Sequence, residues 1–162
     1  MIIFGIDPGL SGGWAVLSDN QVFCGDLPAY NKMINGYELS DIIDAHDIGL
    51  AVVESVNVMP GQGIASSGRF MRAYGQCLGV VAAHKLPIKH PTPQKWKRDL
   101  GLTPPSKDMS KSQQTIFKKE QARQVASDLY PRFARMWARK KDHNRAEAVL
   151  IAHWGEKHGN AD

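Results

Sequence analysis

Residues 2–17 read IIFGIDPGLSGGWAVL, and two incompatible readings of this stretch lead to two different enzymes. Ile2, Ile3, Phe4 and Ile6 form an apolar run that stops at Asp7-Pro8-Gly9, the pattern of a buried strand followed by a turn. Either Gly9, Gly12 and Gly13 cradle a phosphate with their backbone N–H groups, or they only let the chain fold back so that Asp7 is held up at a strand end. Residues 13–18 and 21–26 flank Asp19-Asn20 and predict a hairpin that continues the sheet.

Working outward, Tyr37, Leu39, Ile42 and Ile43 predict a helix over 37–46, and IGLAVVESV, residues 48–56, predicts a second buried strand whose apolar run Glu54 interrupts. Residues 57–67 carry the Pro and Gly of a loop. Phe70, Tyr74, Leu78 and Val81 then recur at helical spacing over 66–84, with Gly75 and Gly79 offering close packing. LPIKHPTP reads as a short strand and its exit, and PQKWKRDLGL as a short basic helix opened by proline. Residues 103–119 are polar, proline-bearing and basic, and predict a mobile loop. Closing helices are expected at 118–130 and 144–157, joined by a basic segment containing Pro131. The order of elements predicts a single domain over 1–162, an α/β sandwich around one sheet.

Two acids interrupt this pattern of burial. Asp7 and Glu54 each end a strand whose other residues are apolar, and an ionised carboxylate there needs a cation or dense hydrogen bonding. For one acid, an arginine partner or a cap suffices as explanation. For two, at the strand ends where α/β sheets assemble their sites, a metal is the better one. A third acid, Glu147, opens the nearly all-apolar helix RAEAVLIAHW. Three such carboxylates suit one or two Mg²⁺ or Mn²⁺ ions, and two ions close together can clamp a phosphodiester. On a helix His143 and Asn144 share the face of Glu147, whereas Asp142, five residues back, joins it only from outside the helix. Asn144 and Glu147 also have the spacing of a capping box, a purely structural explanation.

Charge is unevenly distributed. Residues 1–84 carry only Lys32, Arg69 and Arg72 against eight acids; residues 85–141 carry fifteen Lys and Arg against four acids, giving +11 within a chain of net charge +4. That asymmetry suits a polyanion held beside a cation site, although a solvated lysine-rich surface would look the same. Lys95, Lys97, Arg98, Lys107, Lys111, Lys118 and Lys119 are the candidate phosphate contacts, and Trp96 is either a base-stacking group or a core aromatic. The two cysteines, Cys24 and Cys77, have no metal or redox spacing and read as reduced thiols. No apolar run approaches the length of a membrane span and no secretory signal is visible, so the cytoplasm is the expected location, that of the host if the gene is a phage's.

In order along the chain, FGIDPGLSGGWAV, AVVESV, SSGRFMRAYGQCLGVVAA and RAEAVLIAHW resemble the RuvC-like Holliday junction resolvases of the ribonuclease H-like superfamily, with the closest likeness to those of bacteriophages. The resemblance implies a ribonuclease H-like fold with a five-stranded mixed sheet flanked by helices. It also implies a homodimer acting on branched DNA, and hydrolysis with two Mg²⁺ per site, for which Mn²⁺ substitutes, leaving 5′-phosphate and 3′-hydroxyl ends. By position Asp7, Glu54 and Glu147 match three of the family's acids. The fourth ligand departs from the pattern: Asp142 is the expected one, with His143 and Asn144 in reserve. The aromatic that cellular resolvases carry three residues beyond the glutamate is here Asn57, leaving Val58, Met59 or Gly61-Gln62-Gly63 to open the junction. Two other readings compete. An actin-like kinase would use the glycines for ATP, but it needs a second lobe and no such lobe is visible. A catalytically inactive ribonuclease H-like protein that only binds branched nucleic acid remains as the alternative, and a general flap or Y-branch nuclease is a variant of the enzyme reading.

Overall fold

The computed structural model describes residues 1–19, 21–57 and 63–159. Strands β1 (Ile2–Asp7), β2 (Gly13–Ser18) and β3 (Gln21–Asp26) form an antiparallel meander. A two-residue hairpin, β4 (Ala29–Tyr30) and β5 (Met33–Ile34), turns through Asn31 and Lys32, both at positive φ, and leads into helix α1 (Gly36–Asp44). Strand β6 (Ile48–Val53) then pairs parallel to β1, followed by α2 (Ile64–Ala83), β7 (Ile88–Lys89) and α3 (Pro93–Asp99). Helices α4 (Lys111–Leu129) and α5 (His143–His158) close the chain, with short 3-10 turns over Pro131–Trp137 and Lys140–Asp142 between them. The sheet runs β3-β2-β1-β6-β7, five-stranded and mixed, as expected.

Period-two alternation divides the core into two layers. Ile3, Leu50 and Val52 point to one face with Ala15, Leu17 and α5, while Phe4, Ile6, Ala51 and Val53 point to the other with Leu39, Ile43, Ala73, Cys77 and Val81 of α1 and α2. The same alternation places Asp7 on the α5 face, in line with Ile3 and Gly5. Glu54 follows Leu50 and Val52 onto that face, and its N–H continues the ladder by donating to the Ile6 carbonyl at 3.1 Å.

Helix α5 crosses this face at unusually short range. Ala146, Ala148, Val149, Leu150, Ile151 and Ala152 are buried against the sheet and α4. A Cβ on Gly5 would stand 2.4 Å from the Ala148 carbonyl oxygen, one on Gly13 2.5 Å from that of Asn144, and one on Gly155 2.3 Å from Val52 Cγ2. These glycines are what let the helix lie down on the strand ends.

The segment expected as a loop over 103–119 is corrected in its second half. Helix α4 begins at Lys111, where Ser110 Oγ accepts from the Gln113 N–H and the Gln113 side chain accepts from the Ser110 N–H. This capping box satisfies the first-turn donors, and Ala122 and Ala126 dock the helix on the core. The residues between are too polar to show an apolar stripe, which is why the helix start does not show in the hydrophobic pattern. Elsewhere the differences are at element ends: α2 starts at Ile64 inside the expected loop, and β6 stops at Val53, leaving Glu54 just beyond it.

Replacing Gly5 by alanine tests the close approach. The added methyl meets backbone rather than a flexible side chain, so G5A is expected to lower the unfolding free energy by about 1–3 kcal/mol or more, read by chemical denaturation.

Candidate active site

Three carboxylates reach one place from three elements: Asp7 from the end of β1, Glu54 from just past β6 and Glu147 from the first turns of α5. Burial and the charges of Glu147 and Glu54 push the Asp7 carboxyl well above its ordinary value, and only Lys97 opposes them. Glu54 is also raised, chiefly by burial, against the pull of a hydrogen bond from Trp96 and the charge of Lys97. The cluster therefore gathers acids where burial disfavours their charged forms, a setting in which a bound cation gains most.

Helix α3 supplies what compensation there is. Thr92 caps it by accepting from the Lys95 N–H, and Pro93 opens it. The indole of Trp96 is fully buried, and its Nε1 donates to Glu54 Oε1 at 2.8 Å. A buried indole needs an acceptor, so the core aromatic also fixes a carboxylate. One residue on, Lys97 Nζ lies 3.2 Å from Glu147 Oε1 and 4.9 Å from the centre of the Trp96 ring. Trp96 is thus a core residue that belongs to the site, and Lys97 faces an acid as well as the surface.

The remaining expected ligands are placed differently. Asp142 is not brought to the cluster: Arg139 donates to its two oxygens at 2.7 and 3.0 Å, which holds its carboxyl below the usual range, and Arg145 stands 4.0 Å away. Arg145 in turn grips both oxygens of Asp26 at 2.8 and 2.9 Å. This network anchors the start of α5 to the end of β3 and engages both carboxylate oxygens of Asp142. His143 turns its Nδ1 to the Lys140 carbonyl at 3.2 Å. Asn144 is buried over the β1–β2 turn, where its Nδ2 donates to the Gly12 carbonyl at 2.8 Å and to Asp26 Oδ1 at 3.1 Å. Its Oδ1 is buried and has no hydrogen-bond partner among the described residues. It is not the capping residue of α5, so the capping-box explanation of Asn144 and Glu147 does not apply.

Among the described residues no three His, Cys, Asp or Glu side chains stand close enough together, as placed, to hold a metal ion. Trp96 and Lys97 occupy one oxygen each of Glu54 and Glu147. The donor chemistry nevertheless fits a hard divalent ion: three carboxylates, two of them raised chiefly by burial, and the unpartnered amide oxygen of Asn144 one turn before Glu147.

Of the expected phosphate contacts, Lys97, Arg98 and Lys118 line one groove of about 410 Å³, floored by Pro93, Leu102, Pro104 and Pro105 between α3 and α4. Lys95 pairs with Asp99 at 3.4 Å. Lys107, Lys111 and Lys118 are exposed and Lys119 half-buried, all on the α4 side of the molecule. The expected junction-opening residues Val58, Met59, Gly61 and Gln62 lie outside the described residues. Arg69 and Phe70 line a cleft with Asp7 that the sequence pattern does not predict; the one signal for it is that Arg69 is one of only three Lys and Arg residues in the first 84.

No protein-family model matches the chain, and no curated protein sequence does. Solved structures do. T. thermophilus RuvC in complex with a Holliday junction substrate is similar at 12% identity and a TM-score of 0.65, over 98% of this chain and 96% of that one. A second Thermus thermophilus RuvC structure gives 14% and 0.58, over 98% and 97%. The yeast mitochondrial Holliday junction resolvase Ydc2 gives 12% and 0.55, over 94% of this chain and 77% of its own. The fold of this chain is the ribonuclease H-like fold that these resolvases share.

Proposed function

We propose that the chain is a divalent-metal-dependent endonuclease that cuts branched DNA, Holliday junctions among its substrates. The observation that carries this reading is the convergence of Asp7, Glu54 and Glu147 on the α5 face at the sheet's carboxyl edge, where burial first and their mutual charge second push the carboxyls of Asp7 and Glu54 upward. Likeness of fold to proteins named as junction resolvases supports it.

In this reading Asp7, Glu54 and Glu147 hold the ions, with the free Oδ1 of Asn144 taking the fourth place instead of Asp142. Bound Mg²⁺, or Mn²⁺ in its stead, supplies activation of water and stabilisation of the leaving oxygen in phosphodiester hydrolysis. The chain's own residues do the rest. Trp96 fixes the carboxylate of Glu54 in one orientation. Lys97 balances Glu147 and stands at the border between the acids and the basic groove, where a phosphate oxygen gives it a second partner. Arg98 and Lys118, with Lys107, Lys111 and Lys119 beyond them, attract the backbone, so binding is salt-sensitive and led by shape. A homodimer would set two such sites on one branch. No helix is long and apolar enough to cross a membrane, among the described residues, and action on DNA in the cytoplasm accords with that.

One observation favours the alternative of a non-cutting binder: no ready-made metal triad stands among the described residues. A labelled four-way junction incubated with Mg²⁺ and with EDTA separates the two, since a binder shifts the DNA in both and cuts it in neither. For the enzyme, D7N is expected to keep junction affinity within about twofold while cleavage falls about a thousandfold or more, because several kcal/mol of transition-state stabilisation goes with the ions.

Stability in EDTA gives an independent check. Asp7 and Glu54 bind protons more tightly folded than unfolded, so the folded protein loses stability as pH rises from the ordinary values of 3.8 and 4.5 through their raised ones. Thermal scans at increasing pH should show that fall, D7N should lessen it, and Mg²⁺ should reverse it at neutral pH.

A further inference from the structure

Beside the carboxylates, a cleft of about 360 Å³ opens between the first turn and the start of α2, and Asp7 forms part of its wall. Three features set it apart from the basic groove on the α3 side. Its aromatic wall is Phe70, half-buried, whose ring edge would stand 3.4 Å from a Cβ on Gly9. Gly9 has φ +151°, a conformation that side-chain-bearing residues rarely adopt, so the turn is shaped to lie against that ring. Its cation is Arg69, exposed and without an ion-pair partner among the described residues, in a half of the chain where acids outnumber Lys and Arg eight to three. Ser66, one turn before Phe70 on α2, adds an exposed hydroxyl, and Leu10 an apolar patch.

We propose that this cleft is a subsite for one unpaired nucleotide next to the scissile phosphate, with its base on Phe70 and its phosphate on Arg69 and Ser66. The proposal rests on the nuclease reading of the adjoining carboxylates and goes beyond it by naming what selects the substrate. An aromatic face beside a lone cation is the combination that takes a base and its backbone together. The volume suits a single nucleotide and not a stretch of duplex. A base inside a duplex has both faces covered by its neighbours, so only an unstacked one can reach Phe70. Unstacking costs least where the helix is already interrupted. The cleft therefore favours DNA at a branch point over continuous duplex, using contacts that are separate from the metal ligands and from the lysines around α3 and α4.

The test is a pair of coupling cycles on the full chain, read as affinity for four-way junctions in EDTA by fluorescence anisotropy. One cycle pairs F70L with an abasic nucleotide placed in turn at each position around the branch. The other pairs R69A with a neutral methylphosphonate at each adjoining phosphate. At one position on a strand, each change alone is expected to weaken binding about tenfold and the two together no further. R69A should also lower the dependence of binding on salt by about one released ion. Independent, multiplicative effects at every position in both cycles overturn the subsite. If F70L does not fold, the Arg69 cycle decides, since that side chain is exposed. Because the readout needs no cutting, coupling in a protein that never cleaves with Mg²⁺ keeps the subsite and rejects the nuclease reading. Cleavage without coupling does the reverse.

Discussion

The contact on which the rest of this structure depends is that of α5 with the bare backbone of β1. At Gly5 there is no room for even a methyl group before the Ala148 carbonyl is met, and Gly155 answers from the helix side against Val52. Close packing of this kind is rigid: dense interiors tolerate little change in volume. Its consequence for the site is one of position. A helix lying this low over the strand ends brings the acid of its first turns to the height of the strand-end carboxylates, and strand alternation has already turned Asp7 and Glu54 toward it. The network of Asp26, Arg145, Asp142 and Arg139, with the Asn144 amide on the Gly12 carbonyl, pins the same helix end laterally. Packing and polar anchoring thus fix one geometry together.

That geometry costs stability in the absence of a ligand. Burial, with the like charges gathered there, raises the carboxyls of Asp7 and Glu54, which is the opposite of what the arginines do to Asp26 and Asp142 in the neighbouring network. Asp142 and Asp99 are held low by donors aimed at them, whereas Asp7 has only the distant help of Lys97. Two sets of acids are therefore distinguishable by their surroundings: one satisfied by donors aimed at it, the other buried with too few donors. Perturbation of the second kind, at strand carboxyl ends, is where function is sought first.

Much of this was legible in the sequence, and the failures have physical causes. Buried strands over 2–7 and 48–53 announce themselves by unbroken apolar runs, and an acid that ends such a run is conspicuous, so Asp7 and Glu54 could be named. Glu147 followed because the residues after it leave no polar face. The pairing of Asp142 is not legible because spacing along the chain says nothing about which arginines fold back: Arg139 and Arg145, three residues to either side, engage it. The second half of 103–119 looked like loop because a helix that docks by two alanines leaves a weak hydrophobic signature. Trp96 and Lys97 could be read as an aromatic and a cation, but only the fold reveals that a helix forty residues away in sequence from Glu54 sets them against the acids.

Helix α3 also explains how a chain so divided in charge works as one surface. Its seven residues, PQKWKRD, turn one side toward the acids and another toward the basic groove. Trp96 contributes a neutral donor, which orders Glu54 without cancelling its charge. Lys97 contributes the cation, and because it is bound to Glu147 on one side and borders the groove on the other, it belongs to both halves. In the proposed nuclease reading a purely acidic cluster would repel DNA from the place of cutting, and a purely basic one would not retain divalent ions. On that reading, a short, capped helix interposed between them lets the approach of phosphate and the retention of cations reinforce each other, since each supplies the charge that the other leaves unbalanced.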